Sequence, residues 1–185
     1  TPLYSSAASD VYKRQILGER VRVRITDVKK NFARGKLIQV ISSSPDRINP
    51  PCPVYHLCGG CQLQHIAYEK QLEMKKEIVE NALNRIGNQN IKTLPIIGMK
   101  DPWRYRNKGY FHLARENGKI RLGFYKSKSH ALVPACQCCL FSEAINRLIK
   151  YLGEQLTQQD MSIYDCKTDQ GNLSCLLYTS PSPRD

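Results

Sequence analysis

Hydrophobic and polar residues alternate strictly in the first part of the chain that has a clear pattern. Val21, Val23 and Ile25 alternate with Arg22, Arg24 and Thr26, which predicts a half-buried strand with a basic outer face. Residues 37–41 predict its partner strand. Because two strands alone do not form a stable domain, we expect further strands of a small barrel to belong with them.

Two later segments have the spacing of helices. Residues 68–86 predict an amphipathic helix followed by Gly87, a residue that commonly ends helices. Ser142 is a good N-cap for a second helix that runs to Leu156. The apolar stripe of the first is Leu72, Val79, Ala82, Leu83 and Ile86, and the buried face of the second is Ile145, Leu148, Ile149 and Leu152.

Strands are expected between and after these helices. Residues 108–114 and 120–125 predict a hairpin around Asn117-Gly118, a pair that favours tight turns. Residues 95–98 and 161–166 predict short strands, and the turn-forming residues 169–172 are expected to lead into another. The predicted fold class is therefore α+β.

The chain is strongly basic, with a formal net charge of +12 over 185 residues. This excess indicates a polyanionic partner, with nucleic acid the foremost expectation, and a solvated basic surface without a partner is the alternative. No apolar run is long enough to span a membrane, and the N-terminus lacks the apolar segment of a signal peptide. We therefore expect a cytoplasmic protein, in which neighbouring cysteines more often bind metal than form disulfides.

Both ends differ in character from the rest. Residues 10–15 (DVYKRQ) resemble a translated sequencing adapter, and residues 175–180 (CLLYTS) resemble the translated reverse complement of that adapter. We therefore expect residues 1–15 and 175–185 to be adapter-derived artefacts and residues 16–174 to be a fragment of a longer protein. Cys175 is then not a candidate ligand.

Three cysteines lie close together in "CPVYHLCGGCQLQH". Cys52, Cys58 and Cys61 have the spacing C-x5-C-x2-C, and glycines between the last two let backbone N–H groups approach sulfur. The fourth ligand would come from a histidine or from Cys136, Cys138, Cys139 or Cys166. Spacing alone leaves three possibilities: a zinc site, with four cysteines or with His56 or His65 as one ligand; a [4Fe–4S] cluster; and buried, unligated thiols.

Several segments resemble RNA uracil-C5 methyltransferases of the TrmA/RumA type. They are "GERVRVRI", "SPDRINPPCPVYHLCGGCQLQHIAYEKQLEMKK", "WRYRNK" and "LGFYKSKSH", and the resemblance covers residues 16–174 in order. It implies a partial OB-like TRAM barrel in residues 16–50 and a mixed α/β central domain with a [4Fe–4S] cluster and RNA contacts in residues 51–174. It also implies a Rossmann-like methyltransferase domain that is missing from this chain.

The resemblance also implies a ligand set. Cys52, Cys58 and Cys61 match the family's first three cluster ligands, and "SHALVPACQCCL" places the fourth at Cys138. Cys139 stands where the family often has proline, so Cys136 and Cys139 stay open as alternatives. Cys166 is expected to be a small buried hydrophobic residue.

RNA contacts are expected in "WRYRNK" and "FYKSKSH". On an alternating strand, Arg104, Arg106 and Lys108 would share one face, and Lys126 would add a further cation. The aromatic residues Trp103, Phe111 and Phe124 are expected in the core. For His112 and His130 we expect a surface or hydrogen-bonding role.

The family's chemistry uses a cysteine nucleophile, a carboxylate base and a glycine-rich S-adenosylmethionine site. None is visible in residues 16–174, so no catalytic residue is assigned and the fragment is expected to be inactive. The parent is expected to be a monomeric methyltransferase that modifies RNA, with 23S ribosomal RNA the expected substrate, and uses S-adenosylmethionine. The alternative is a zinc-binding RNA-binding protein without enzymatic activity.

Overall fold

The computed structural model describes residues 15–30, 33–165 and 168–179, and its contacts divide the chain into two compact units. Unit 1 contains the described residues up to Pro50 together with Gln62–Gly98, and unit 2 contains Pro51–Cys61 and the described residues from Met99 onward. Helices occur together with antiparallel sheets, so the predicted mixture of α and β structure is confirmed. The predicted boundary at residue 50 differs from this division, since residues 62–98 belong with unit 1, and it stays a prediction.

Unit 1 begins with a two-stranded antiparallel sheet of β1 (Arg20–Val28) and β2 (Ala33–Ser42), as the alternation predicted. Of the apolar residues of β1, Val23 and Ile25 are 40% and 50% exposed, so the face that the alternation assigned to the interior is only partly covered in the described residues. In the described residues the sheet has no third strand, and a two-stranded sheet cannot bury a face by itself. The TRAM barrel therefore stays a prediction.

A buried carboxylate fastens the start of β1 to the segment after β2. Glu19 accepts hydrogen bonds from the backbone N–H groups of Ile16 and Ser44, at 3.0 and 3.2 Å. The guanidinium of Arg47 donates twice to the same carboxylate, with 2.7 Å between Nη2 and Oε2. The Glu19 side chain is only 1% exposed, so these donors replace the water it has lost.

Helix α1 (Tyr68–Arg85) follows in unit 1 and ends at Ile86, close to the predicted bounds. None of its residues is fully buried. Leu72 and Leu83 of the predicted stripe are half-buried, whereas Val79 and Ile86 are 47% and 88% exposed, so the stripe is only partly covered within the described residues. The strand predicted at 95–98 was wrong. That segment pairs with no strand: Pro95 lacks an N–H donor, and Ile97 is 98% exposed.

Unit 2 is built on an antiparallel sheet with the strand order β5-β4-β3-β6. Its strands are β3 (Lys108–Glu116), β4 (Lys119–Tyr125), β5 (Leu132–Pro134) and β6 (Cys175–Thr179). The predicted hairpin is confirmed: Glu116 pairs with Lys119, and Asn117 and Gly118 adopt positive φ angles of 50° and 75°. This is the left-handed backbone that Asn-Gly accommodates easily.

Helix α2 (Glu143–Gln158) covers one face of this sheet. Its predicted N-cap is confirmed, since Ser142 Oγ accepts from the N–H of Ile145 at 3.4 Å. Phe111 and Ile120 of the sheet pack with Ile145 and Ile149 of the helix in one buried core. Leu148 was predicted to be buried but is 37% exposed, because the helix presents it beside the core rather than into it.

The last part of unit 2 departs from two predictions. Residues 161–165 form isolated bridges instead of a strand, with Ile163 opposite Leu173, and Cys166 lies outside the described residues. The predicted turn is present, with positive φ at Asp169 and Gly171. The strand that follows, β6, lies in residues that we assigned to adapter sequence, and their origin stays a prediction. Residues 1–14 and 180–185 lie outside the described residues.

Candidate metal centre and nucleic-acid interface

The loop Cys52–Cys61 is held by its own backbone and by the end of β4. The Cys58 N–H donates to the Val54 carbonyl at 2.8 Å, and the Gly60 N–H donates to Cys58 Sγ at 3.3 Å. The Gly59 N–H donates to the Tyr125 carbonyl at 3.0 Å. Backbone N–H groups directed at sulfur are a common feature around metal-bound cysteines, where they orient the ligand.

Glycine is required at one of the two central positions for steric reasons. A Cβ on Gly59 would lie 2.9 Å from the Tyr125 carbonyl oxygen and 3.2 Å from the Ser127 nitrogen, both backbone atoms. A Cβ on Gly60 would meet only Cys58 Sγ, at 3.4 Å. The close approach of this loop to the chain after β4 therefore depends on Gly59.

A second cysteine loop precedes α2, and a side chain from the first turn of that helix holds it. The Cys138 N–H donates to Asn146 Oδ1 at 3.2 Å, and Asn146 Nδ2 donates to the Cys138 carbonyl at 3.1 Å. Nothing in the sequence pattern singled out Asn146, because its role depends on where the helix places it.

Four thiols from the two loops lie close enough to influence one another. Burial, and after it the nearby thiols of Cys61, Cys52 and Cys139, raise the pKa of the Cys138 thiol to about 11, although a backbone hydrogen bond at Leu140 acts in the opposite direction. The pKa of Cys139 is also raised, first by burial and then by Cys52, with which its thiol shares a hydrogen bond. Cys136, by contrast, is exposed at the surface.

The side chains of these cysteines are not arranged as a metal-binding site in the described residues. Within residues 15–30, 33–165 and 168–179, no three His, Cys, Asp or Glu side chains are arranged so that they could hold a metal ion. The donor chemistry suits zinc or iron–sulfur, and cysteines release their thiol protons when they bind such a metal. The predicted ligands Cys52, Cys58, Cys61 and Cys138 therefore stay a prediction.

The histidines considered as zinc ligands have other surroundings. His56 is exposed and its ring packs edge-on against Tyr55, with 5.4 Å between ring centroids. His65 is 2% exposed in unit 1, where its Nε2 lies 3.4 Å from the Gln15 carbonyl oxygen.

The predicted RNA-binding segment 103–108 is attached directly to the second cysteine loop. The Arg104 N–H donates to the Cys139 carbonyl at 3.0 Å, and the Arg106 N–H donates to the Leu140 carbonyl at 2.9 Å. The assumption that this segment is a regular strand was wrong, since Arg104 has a φ of +56° and β3 begins only at Lys108. Arg104, Arg106 and Lys108 thus do not share a face by simple alternation.

Arg104 and Arg106 instead line an open cleft of about 310 Å³ in unit 2. Tyr105 and Asn107 also line it, and the Arg106 guanidinium carbon lies 5.9 Å from the Phe141 ring centroid. Cations beside a tyrosine are suited to phosphate and base contacts. The cleft is completed by Ser142, Ala144, Ile145, Leu148 and Tyr178.

The remaining predicted contacts lie on or near the sheet. Lys108 is exposed at the start of β3, and Lys126 is exposed immediately after β4, where it pairs with Cys58. Of the aromatic residues expected in the core, Phe111 is fully buried, as predicted, whereas Phe124 and Trp103 are half-buried. Neither helix in the described part of the chain has the length and apolar character that crossing a bilayer requires.

Comparison with known proteins connects these features to a family. Relatives described as uncharacterized RNA methyltransferases occur in Clostridium tetani and Staphylococcus epidermidis. Each is 43% identical to this chain over 88% of it, and the match spans 35% and 36% of the respective relative. Over this matched length, the chain resembles RNA methyltransferases. The resemblance stated from the sequence is thereby confirmed.

A solved structure agrees with this assignment. The Pyrococcus abyssi tRNA (uracil-54, C5)-methyltransferase in complex with S-adenosyl-L-homocysteine has a TM-score of 0.60 and 26% identity to this chain. The alignment covers 88% of this chain and 36% of that structure. The chain therefore spans about a third of the length of the RNA methyltransferases that it matches. No family model matches the chain.

Proposed function

We propose that this chain is the RNA-recognition and cluster-binding part of an S-adenosylmethionine-dependent RNA uracil-C5 methyltransferase. The observation that carries the proposal is the attachment of Arg104 and Arg106 to the loop of Cys138 and Cys139 through backbone hydrogen bonds. A cluster bound between the two cysteine loops would fix the position of the arginines that contact RNA. The similarity to relatives described as RNA methyltransferases supports an RNA substrate, and the neighbour's bound S-adenosyl-L-homocysteine supports S-adenosylmethionine as methyl donor.

Cys52, Cys58, Cys61 and Cys138 would hold a [4Fe–4S] cluster, and the cluster would act as a structural cross-link between the two loops. Glycine at position 59 brings the first loop against the backbone after β4, and Asn146 anchors the second loop to α2. The cluster would thus join parts of the chain that are far apart in sequence.

Anaerobic reconstitution with iron and sulfide tests the cluster. We expect a brown protein with broad absorbance near ~400 nm, as Cys-ligated iron–sulfur centres show. Cys138→Ser should lose most of the bound iron, whereas Cys136→Ser, at an exposed site, should keep it. A colourless protein that binds one zinc would contradict the iron–sulfur proposal, and iron loss in Cys139→Ser alone would move the fourth ligand to Cys139.

RNA binding is tested by the salt dependence of affinity. Arg104, Arg106, Lys108 and Lys126 are proposed to contact phosphates, and each contact to single-stranded RNA adds about −0.7 to the slope of log K against log salt. We expect Arg104→Gln to reduce that slope by about this amount. An affinity that does not change with salt would contradict the proposed interface.

We propose ribosomal RNA as the substrate class, with the cytoplasm as the location and a monomer as the functional form. Affinity for unpaired segments of 23S ribosomal RNA should then exceed affinity for tRNA, and the reverse order would contradict the ribosomal assignment. With labelled S-adenosylmethionine the chain itself is expected to transfer no methyl group, because no catalytic residue is assigned to it.

A further inference from the structure

A row of rings crosses the face of the unit 2 sheet opposite α2. In β3, Phe111 and Leu113 are buried, so the alternating residues Lys108, Tyr110 and His112 lie on the other face. The same alternation in β4 places Tyr125 on that face, because Phe124 packs against the core. His130 follows in the loop before β5.

The rings of this row are close enough to form a continuous aromatic surface. The His112 and Tyr125 rings are stacked, with centroids 3.8 Å apart and planes 13° apart. Tyr110 lies 6.0 Å from His112 at one end, and His130 lies 5.1 Å from Tyr125 at the other, with both end rings tilted by about 60°. We call these four residues the ring row.

The central pair and the two ends differ in exposure. His112 and Tyr125 are half-buried, and burial together with nearby His130 lowers the pKa of His112, so its ring is uncharged at neutral pH. Tyr110 is 55% exposed and His130 is also exposed. A rigid stacked pair flanked by accessible, tilted rings leaves ring faces open at the surface, where flat ligands can stack.

The charges around the ring row are mainly positive. On the same face, alternation places Lys108 in β3 and Lys119 and Arg121 in β4, and the loop after β4 adds Lys126 and Lys128, all exposed. By the same alternation one acidic residue of β3, Glu116, also lies on this face, at the opposite end of the strand from Lys108. This pattern is complementary to a strand that presents bases to the rings and phosphates to the cations.

We infer that the ring row is a stacking site for unpaired bases of single-stranded RNA. The inference rests on the proposed function and extends it, since it places base contacts on the sheet face rather than at Arg104 and Arg106. The site is also joined to the first cysteine loop, because the Tyr125 carbonyl accepts the Gly59 N–H.

The test measures fluorescence anisotropy of a labelled, unstructured RNA dodecamer with the full chain. Tyr110→Ala and His130→Ala should each weaken binding about tenfold, within the range found when stacking aromatics are truncated, and Tyr110→Phe should restore affinity. Tyr151→Ala is the matched control, since Tyr151 is equally exposed at 56% but lies on α2. It should bind like the parent chain.

Two further measurements separate stacking from charge and from folding. Loss of a stacked base removes no phosphate contact, so the salt slope should be unchanged in Tyr110→Ala, and affinity for a fully paired RNA duplex should not fall. Circular dichroism should show an unchanged fold, as expected for exposed positions.

The outcomes distinguish the two proposals. If the parent chain binds RNA but Tyr110→Ala and His130→Ala bind like Tyr151→Ala, the ring row is not the site and the proposed function stands. An equal loss of affinity for the duplex would also overturn base stacking. If the parent chain does not bind RNA at all, both proposals fail.

Discussion

Replacement of Gly59 by alanine is the most direct test of how the first cysteine loop is held. The new Cβ would lie 2.9 Å from the Tyr125 carbonyl oxygen and within 3.3 Å of two Ser127 backbone atoms. Backbone cannot move aside as a flexible side chain can, so the loop must shift. That shift also threatens the Gly59–Tyr125 hydrogen bond.

The expected cost follows from two terms. Steric overpacking costs about 1–3 kcal/mol, and the weakened hydrogen bond adds about 1 kcal/mol. Gly60→Ala is the matched control, because its Cβ meets only Cys58 Sγ at 3.4 Å, an ordinary contact. Alanine there also lowers the entropy of the unfolded chain, so we expect a change of no more than about 1 kcal/mol in either direction.

Urea denaturation followed by tryptophan fluorescence measures the difference. Trp103 is the single tryptophan of the chain and belongs to unit 2, so its signal reports the unit that contains Gly59. With a urea slope of about 2 kcal/mol/M, a difference of about 2 kcal/mol separates the two midpoints by about 1 M. Equal midpoints for Gly59→Ala and Gly60→Ala would refute the packing argument.

Three further predictions concern titratable groups. Burial raises the pKa of Glu19, but hydrogen bonds from Arg47 and from the Ile16 and Ser44 N–H groups outweigh burial, so the pKa is lowered overall. Ionised Glu19 therefore stabilises the fold above pH 4.5, and this stabilisation is lost as the pH falls through the lowered pKa. Glu19→Ala removes the charged acceptor of these hydrogen bonds and should cost about 2 kcal/mol, measured as faster hydrogen exchange at Ser44. The pKa of Cys138 is about 11, so iodoacetamide at pH 8 should label the exposed Cys136 well before Cys138, as mass spectrometry can show. The pKa of His112 is lowered from 6.5, so the urea midpoint of unit 2 should fall as the pH drops below 6.5, and less so in His112→Gln.

Each of these has a result that would contradict it. Unchanged exchange at Ser44 in Glu19→Ala would mean that the buried carboxylate does not hold that segment. Equal labelling of Cys136 and Cys138 would show that the pKa of the Cys138 thiol is not raised. An identical pH response in His112→Gln would assign the titration to another group.

Local elements were predictable because their causes are local. The turn at Asn117-Gly118, the Ser142 cap and the periodicity of α2 are properties of adjacent residues, and the structure has all three. The resemblance of the cysteine and "WRYRNK" segments to RNA methyltransferases was likewise visible in the sequence and was confirmed by the relatives. The [4Fe–4S] cluster and its four cysteine ligands remain proposals.

What the sequence did not determine depends on partners that lie far away along the chain. Arg104 has a positive φ where its backbone N–H donates a hydrogen bond to the Cys139 carbonyl. Asn146 can hydrogen-bond to the Cys138 backbone only because α2 places it there. The burial of an apolar stripe likewise needs a second surface, and in the described residues α1 is covered only in part. Periodicity therefore determined both helices, the first two strands and the β3–β4 hairpin. Tertiary packing decided which faces are buried, which short segments pair as strands and which distant side chains meet, because those outcomes depend on contacts between residues far apart in sequence.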